Sequence, residues 1–168
     1  MPSYARPTVT PTATVSTTPT PPPSTTISIS GSDPFGSYTI AVPTGWIQSQ
    51  EQVAGRTKTT FTNGDYKLAI SQFAGGGAQC TYPGETGGDF STPFNGPVGI
   101  TGTAGQYRRA TAKDNPTTGP QTYTVCELKS GNYGLPTEFG YTTYATPASP
   151  TAAMLAVMDA MVASLKKN

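Results

Sequence analysis

Large and small or polar residues alternate along Tyr38-Thr39-Ile40-Ala41-Val42 with a period of two, the pattern of a half-buried strand that Pro43 ends. Gly45-Trp46 then reads as a turn that carries the only tryptophan toward the interior. Arg56 to Thr62 reads as a second strand, with Phe61 as its main apolar residue. Thr62-Asn63-Gly64-Asp65 predicts a tight hairpin, because Asn-Gly adopts positive φ readily. The strand that follows, Tyr66 to Phe73, places Tyr66, Leu68 and Ile70 on one face. Val98 to Thr103 and Gln106 to Ala112 read as a further hairpin around Ala104-Gly105, and Asp114-Asn115-Pro116 starts a turn. Gln121 to Leu128 is a strand with Tyr123 and Val125 facing opposite to Cys126 and Leu128; Gly131 to Pro136 turns the chain into a last strand, Glu138 to Ala145.

The period then changes. Met154, Leu155, Met158, Met161, Val162 and Leu165 recur at helical spacing, with Asp159 and Ser164 on the other side. Ser149-Pro150 supplies an N-cap and a first-turn proline, and Lys166-Lys167 lie where the helix dipole favours cations. The methionines fit as core gap-fillers covering a sheet face. The pattern therefore predicts one α+β domain, an antiparallel β-sheet packed by a C-terminal amphipathic helix, over residues 33–168.

Ahead of it, sixteen of the first twenty-six residues are threonine or proline and Arg6 is the only charge. Such a tract lacks the apolar side chains that offset ordering entropy, and residues 1–32 are expected to form a disordered stalk or linker. Its threonines are candidates for O-linked sugars on composition alone. Roughly 135 residues remain for folding, enough for one domain with a core.

The formal net charge is +1 and 11% of residues are charged, which gives no electrostatic footprint for nucleic acid. No apolar run is long enough to span a bilayer; Ala152 to Leu165 is short and is interrupted by Asp159. Glycine and threonine are plentiful and histidine is absent, a composition that fits an extracytoplasmic β-rich domain at a cell surface, in a periplasm or secreted. The residues after Met1 contain no apolar signal segment, so membrane attachment would require an anchor that this chain does not carry. Cys80 and Cys126 form an even pair outside any C-x-x-C motif. In an oxidising compartment they are expected to form a disulfide closing about 47 residues and contributing ~4 kcal/mol in the chain-entropy model. Two separate buried thiols are the alternative.

This order of elements resembles the Mog1/PsbP-like α/β fold family. The resemblance is carried by Tyr38 to Trp46 with its Pro-x-Gly-Trp ending, the hairpin at Asn63-Gly64 and the terminal helix Thr151 to Leu165, and it covers roughly Phe35 to Leu165. It implies a non-catalytic adaptor or accessory subunit with extracytoplasmic, lipoprotein-like relatives. The glycine-rich stretch and the cysteine pair have no counterpart in that pattern.

Without histidine the chain has no Ser-His-Asp or Cys-His arrangement and no imidazole metal ligand, and two cysteines do not complete a thiolate site. Gly75-Gly76-Gly77 lacks the Lys-Ser/Thr of a phosphate loop. No catalytic residue, metal or cofactor is assigned. Glu85 and Asp89, in the glycine-rich stretch from Ala74 to Pro97, and Asp65 in the hairpin are the carboxylates available to a small secreted hydrolase or carbohydrate-active domain, or they are solvated loop charges. Tyr82, Phe90 and Phe94 on the same stretch are candidate partner-binding aromatics, or a lid folded over the sheet. Arg108 and Arg109 sit on alternate sides of their strand, where the outward one either meets an acidic partner or is solvated. The leading expectation is a non-enzymatic binding or assembly module tethered to a cell envelope, with a protein or an envelope glycan as partner; a purely structural surface protein is a third possibility.

Overall fold

The computed structural model describes residues 22–72, 100–102, 105–112, 121–129, 132–134 and 137–168. Among them, strands β1 (Ser24–Ile29), β2 (Tyr38–Pro43), β3 (Ile47–Val53), β4 (Arg56–Asn63) and β5 (Tyr66–Ser71) follow one another closely. Then come β6 (Ile100–Gly102), β7 (Gly105–Ala112), β8 (Gln121–Lys129), β9 (Asn132–Gly134) and β10 (Tyr141–Thr146), helix α1 (Ala152–Ala163) and β11 (Lys166–Lys167). The fold is α+β with a C-terminal helix, as the pattern predicts, but the strands divide into two antiparallel sheets. The smaller has the order β1-β2-β11; the larger runs β3-β4-β5-β10-β8-β7-β6, with β9 paired to β8.

In the small sheet, Tyr38, Ile40 and Val42 of β2 are buried while Thr39 and Ala41 are half-buried, as the alternation requires. Its neighbour β1 is a departure, since Ser24 to Ile29 reads in sequence as the end of the stalk. It pairs along its whole length with β2, from Ser24 opposite Pro43 to Ile29 opposite Tyr38, and Ile29 enters the core. Isoleucines at positions 27 and 29 supply a short period-two signal that the surrounding threonines and prolines obscure. The Thr44 amide donates to Pro23 O at 3.0 Å, and Gly45 turns the chain at φ 90° so that Trp46 packs half-buried against the core.

The large sheet begins with a strand that has no apolar alternation. β3 reads Ile-Gln-Ser-Gln-Glu-Gln-Val and is exposed throughout, so hydrophobic patterning passes over it. Its hairpin partner β4 is joined through Ala54-Gly55, with φ of 51° and 74°, the paired positive values of a type I′ turn. At the next hairpin Asn63 stays in the strand opposite Tyr66, and Gly64 alone has positive φ, 56°. The inner face is built in cross-strand rows: Thr59-Ile70-Thr142-Val125 and, beside it, Phe61-Leu68-Tyr144. Every member of both rows is fully buried. The final strand starts at Tyr141, later than its sequence pattern indicates, because Thr137 and Gly140 bridge around a turn that drops Phe139 into the core.

Helix α1 closes the core with Leu155, Met158, Met161 and Val162, followed by Leu165. Met158 and Met161 are fully buried, as gap-fillers should be; each such burial stabilises by about 1.5–3 kcal/mol. Three expectations about this helix are corrected. The N-cap is Thr151, not Ser149: its backbone is extended and its hydroxyl accepts from the Met154 amide at 3.2 Å. Lys166 and Lys167 do not extend the helix but form β11 opposite Thr39 and Tyr38. Asp159 and Ser164 face the sheets, where Asp159 accepts from the Tyr144 hydroxyl at 3.0 Å and Ser164 accepts from the Ala41 amide at 2.8 Å.

Among the described residues, the buried hydroxyls of Tyr38 and Thr142 have no hydrogen-bond partner. The Tyr38 ring meets Phe139 edge-on at 6.1 Å. Burial pushes its phenol up to about 12; the Thr59 side chain opposes that shift without reaching hydrogen-bond geometry. Buried Gln72 is fully engaged by contrast, its carbonyl accepting from the Ser32 amide at 2.6 Å and its NH2 group donating to Gly36 O at 2.9 Å. That pair of bonds holds the 31–36 loop against the end of β5.

The expected disulfide is absent. The sulfurs of Cys80 and Cys126 make no close or near contact. A disulfide requires Cα atoms within about 7 Å and converging Cβ vectors. An even cysteine count carries neither condition, and Cys126 is held in the β7–β8 ladder opposite Arg108.

Candidate functional site

A surface groove lies at the tip of the β4–β5 hairpin. Gly64 turns the chain tightly, so Asp65, Tyr66 and Lys67 emerge together beside the end of β10, where Lys67 is in register with Ala145. Gly64 to Lys67 and Ala145 to Pro147 line an open groove of about 460 Å³. The Tyr66 hydroxyl accepts from the Thr151 amide at 3.0 Å, coupling the hairpin to the helix N-terminus, and buried Thr146 donates from its hydroxyl to Pro147 O at 2.9 Å. Asp65 and Lys67 are exposed and Tyr66 between them is half-buried, with Tyr66 and Lys67 on alternate faces of β5.

The lining offers one carboxylate, one ammonium and a tyrosine whose hydroxyl is already engaged. Hydrolysis by paired carboxylates needs a second carboxylate a few ångströms from the first, and the groove lining contains Asp65 alone. Glu85 and Asp89 lie outside the described residues, as do Cys80, Tyr82, Phe90, Phe94 and the glycine run. Arg108 and Arg109 occupy successive positions of β7, opposite Cys126 and Val125 respectively, away from the groove-lining strand ends. Among the described residues, no three of the histidine, cysteine, aspartate and glutamate side chains cluster to hold a metal. Nor, among them, is any helix long and apolar enough to cross a membrane.

Tyr66 and Lys67 were not singled out by the sequence. Tyr66 is legible as an inner-face residue and Lys67 as an alternating outer one. That β10 ends beside them is a consequence of non-local pairing, with residues 72–140 lying between the two strands in the chain.

The described residues define an α+β domain of antiparallel sheets and a C-terminal helix, with an open groove at the tip of the β4–β5 hairpin. No family model, curated protein or solved structure matches the chain.

Proposed function

We propose that this domain is a non-enzymatic binding or assembly module that works outside a membrane, tethered to a cell envelope through its Thr/Pro-rich N-terminal stretch. The observation that carries the reading is the groove at the β4–β5 tip, with Asp65, Tyr66 and Lys67 presented on a hairpin anchored to Thr151. The exposed Asp65 and Lys67 suit a ligand that bears both hydroxyl or carboxylate acceptors and cationic or amide donors, as an envelope glycan or an extended peptide does. The composition supports the extracytoplasmic setting. The resemblance of Tyr38 to Trp46 and of the terminal helix to Mog1/PsbP-like proteins supports an accessory role.

The test is a titration of the isotope-labelled chain with soluble glycan fragments released from purified envelope and, separately, with extracted envelope proteins. Amide shifts confined to Gly64–Lys67 and Ala145–Thr146, with binding weakened at least several-fold by Lys67→Ala, are expected. A groove that responds to neither probe overturns the reading. Cleavage of the glycan during the titration overturns its non-enzymatic part.

A further inference from the structure

β3 is the outermost strand of the large sheet, and among the described residues no strand pairs with its other edge. Natural edge strands are blunted by proline, lysine, bulges or inward-pointing charge. β3 contains no proline or lysine, and it pairs with β4 over seven consecutive positions without a bulge. Its only charge, Glu51, is paired with Lys58 at 2.9 Å on the opposite side from the free edge. Ile47 and Val53, at its two ends, are the large apolar side chains left exposed among the described residues, Ile47 at 71%.

The backbone parity determines which groups the edge offers. The type I′ turn at Ala54-Gly55 makes Val53–Arg56 a hydrogen-bonded pair, so alternation assigns Ile47, Ser49, Glu51 and Val53 to bonds with β4. The N–H and C=O groups of Gln48, Gln50 and Gln52 therefore point to the open edge.

The side-chain sequence is close to a palindrome about Gln50: Ile-Gln-Ser-Gln-Glu-Gln-Val. Two antiparallel copies related by a two-fold axis through Gln50 place Ile47 opposite Val53, Gln48 opposite Gln52 and Ser49 opposite Glu51. All the outward backbone groups then meet outward groups, and each glutamine pair exchanges both of its N–H···O bonds. The exposed apolar ends pair with one another, and neither glutamate faces its own copy. We infer that two copies of this chain associate edge to edge through β3, joining their large sheets into one continuous sheet by a self-complementary, isologous interface. The interface uses residues 47–53 and is independent of the groove, so failure of either proposal leaves the other standing.

Sedimentation of the chain over a concentration series, with amide exchange read at the same concentrations, tests the inference. A monomer–dimer equilibrium is expected, with protection at Gln48, Gln50 and Gln52 rising as dimer forms. Ser49→Glu creates two symmetric Glu–Glu pairs and is expected to weaken association about tenfold or more, whereas Ser49→Lys, facing Glu51 of the other copy, preserves or tightens it. Both variants alter an exposed side chain and leave the monomer's ladder intact. A chain that stays monomeric to millimolar concentration overturns the inference. So does a dimer that ignores both variants and leaves those three amides unprotected.

Discussion

The Ser164 hydroxyl accepts from the Ala41 amide at 2.8 Å while donating to Met161 O at 2.6 Å. The pairing register explains the contact. Lys166 opposes Thr39, so position 164 is the next rung, opposite Ala41. There the chain is still closing helix α1 and cannot run as a strand. The side chain supplies the acceptor that a backbone carbonyl would otherwise give, joining helix end and strand across 123 residues of sequence. Ser164→Ala is expected to lower stability by about 1–2 kcal/mol, because the half-buried Ala41 amide loses its partner. Urea unfolding measures the loss, and faster exchange of the Ala41 amide localises it.

Tyr38 presents the opposite case, a buried hydroxyl with no partner. Tyr38→Phe removes that uncompensated group at almost constant shape and is expected to raise stability by about 1 kcal/mol.

The same residue sets an alkaline limit. Its folded-state value of about 12 lies above the ordinary 10.0, so the neutral phenol is favoured by the fold. Its contribution is complete below pH 10 and is lost as pH rises toward 12. Thermal unfolding between pH 9 and 12 should show a fall in Tm that is smaller in Tyr38→Phe; equal falls in both proteins would refute the assignment.

Ala54 occupies the left-handed region at φ 51°, next to Gly55 at 74°. An alanine there is strained, while Asn or Gly at the first position of a type I′ turn is not. Ala54→Asn is expected to stabilise by about 0.5–1 kcal/mol, measured as an upward shift in the denaturation midpoint at unchanged slope.

Gly31 has no room for a side chain: an added Cβ would come within 1.7 Å of Gly36 O, the same carbonyl that accepts from Gln72. The obstacle is backbone, so Gly31→Ala must displace the loop and disrupt the Gln72 bonds. A loss of about 3 kcal/mol is expected in chemical denaturation. Gly36→Ala, strained at φ 73° but open in space, should cost less.

Wherever burial falls on one face of one element, the sequence was legible. The alternation of Tyr38 to Val42, the Leu68–Ile70 face and the Leu155–Met158–Met161–Val162 stripe all become core. Polar strands were opaque. β3 carries no apolar period because it lies at an exposed edge, and β1 is masked by the threonines and prolines around it. The groove was half-legible, since Asn63-Gly64 marks the hairpin but nothing local to it marks Ala145 to Pro147.

By itself, then, the sequence determined the fold class, the terminal helix and the apolar half of the core, because periodicity is a local consequence of which face leaves water. Tertiary structure decided the rest. It set the division into two sheets, the capture of Ser24–Ile29 and Lys166–Lys167 by β2 and the turning inward of Asp159 and Ser164. Each of these depends on which backbone groups distant in sequence find partners, and composition and period carry no record of that.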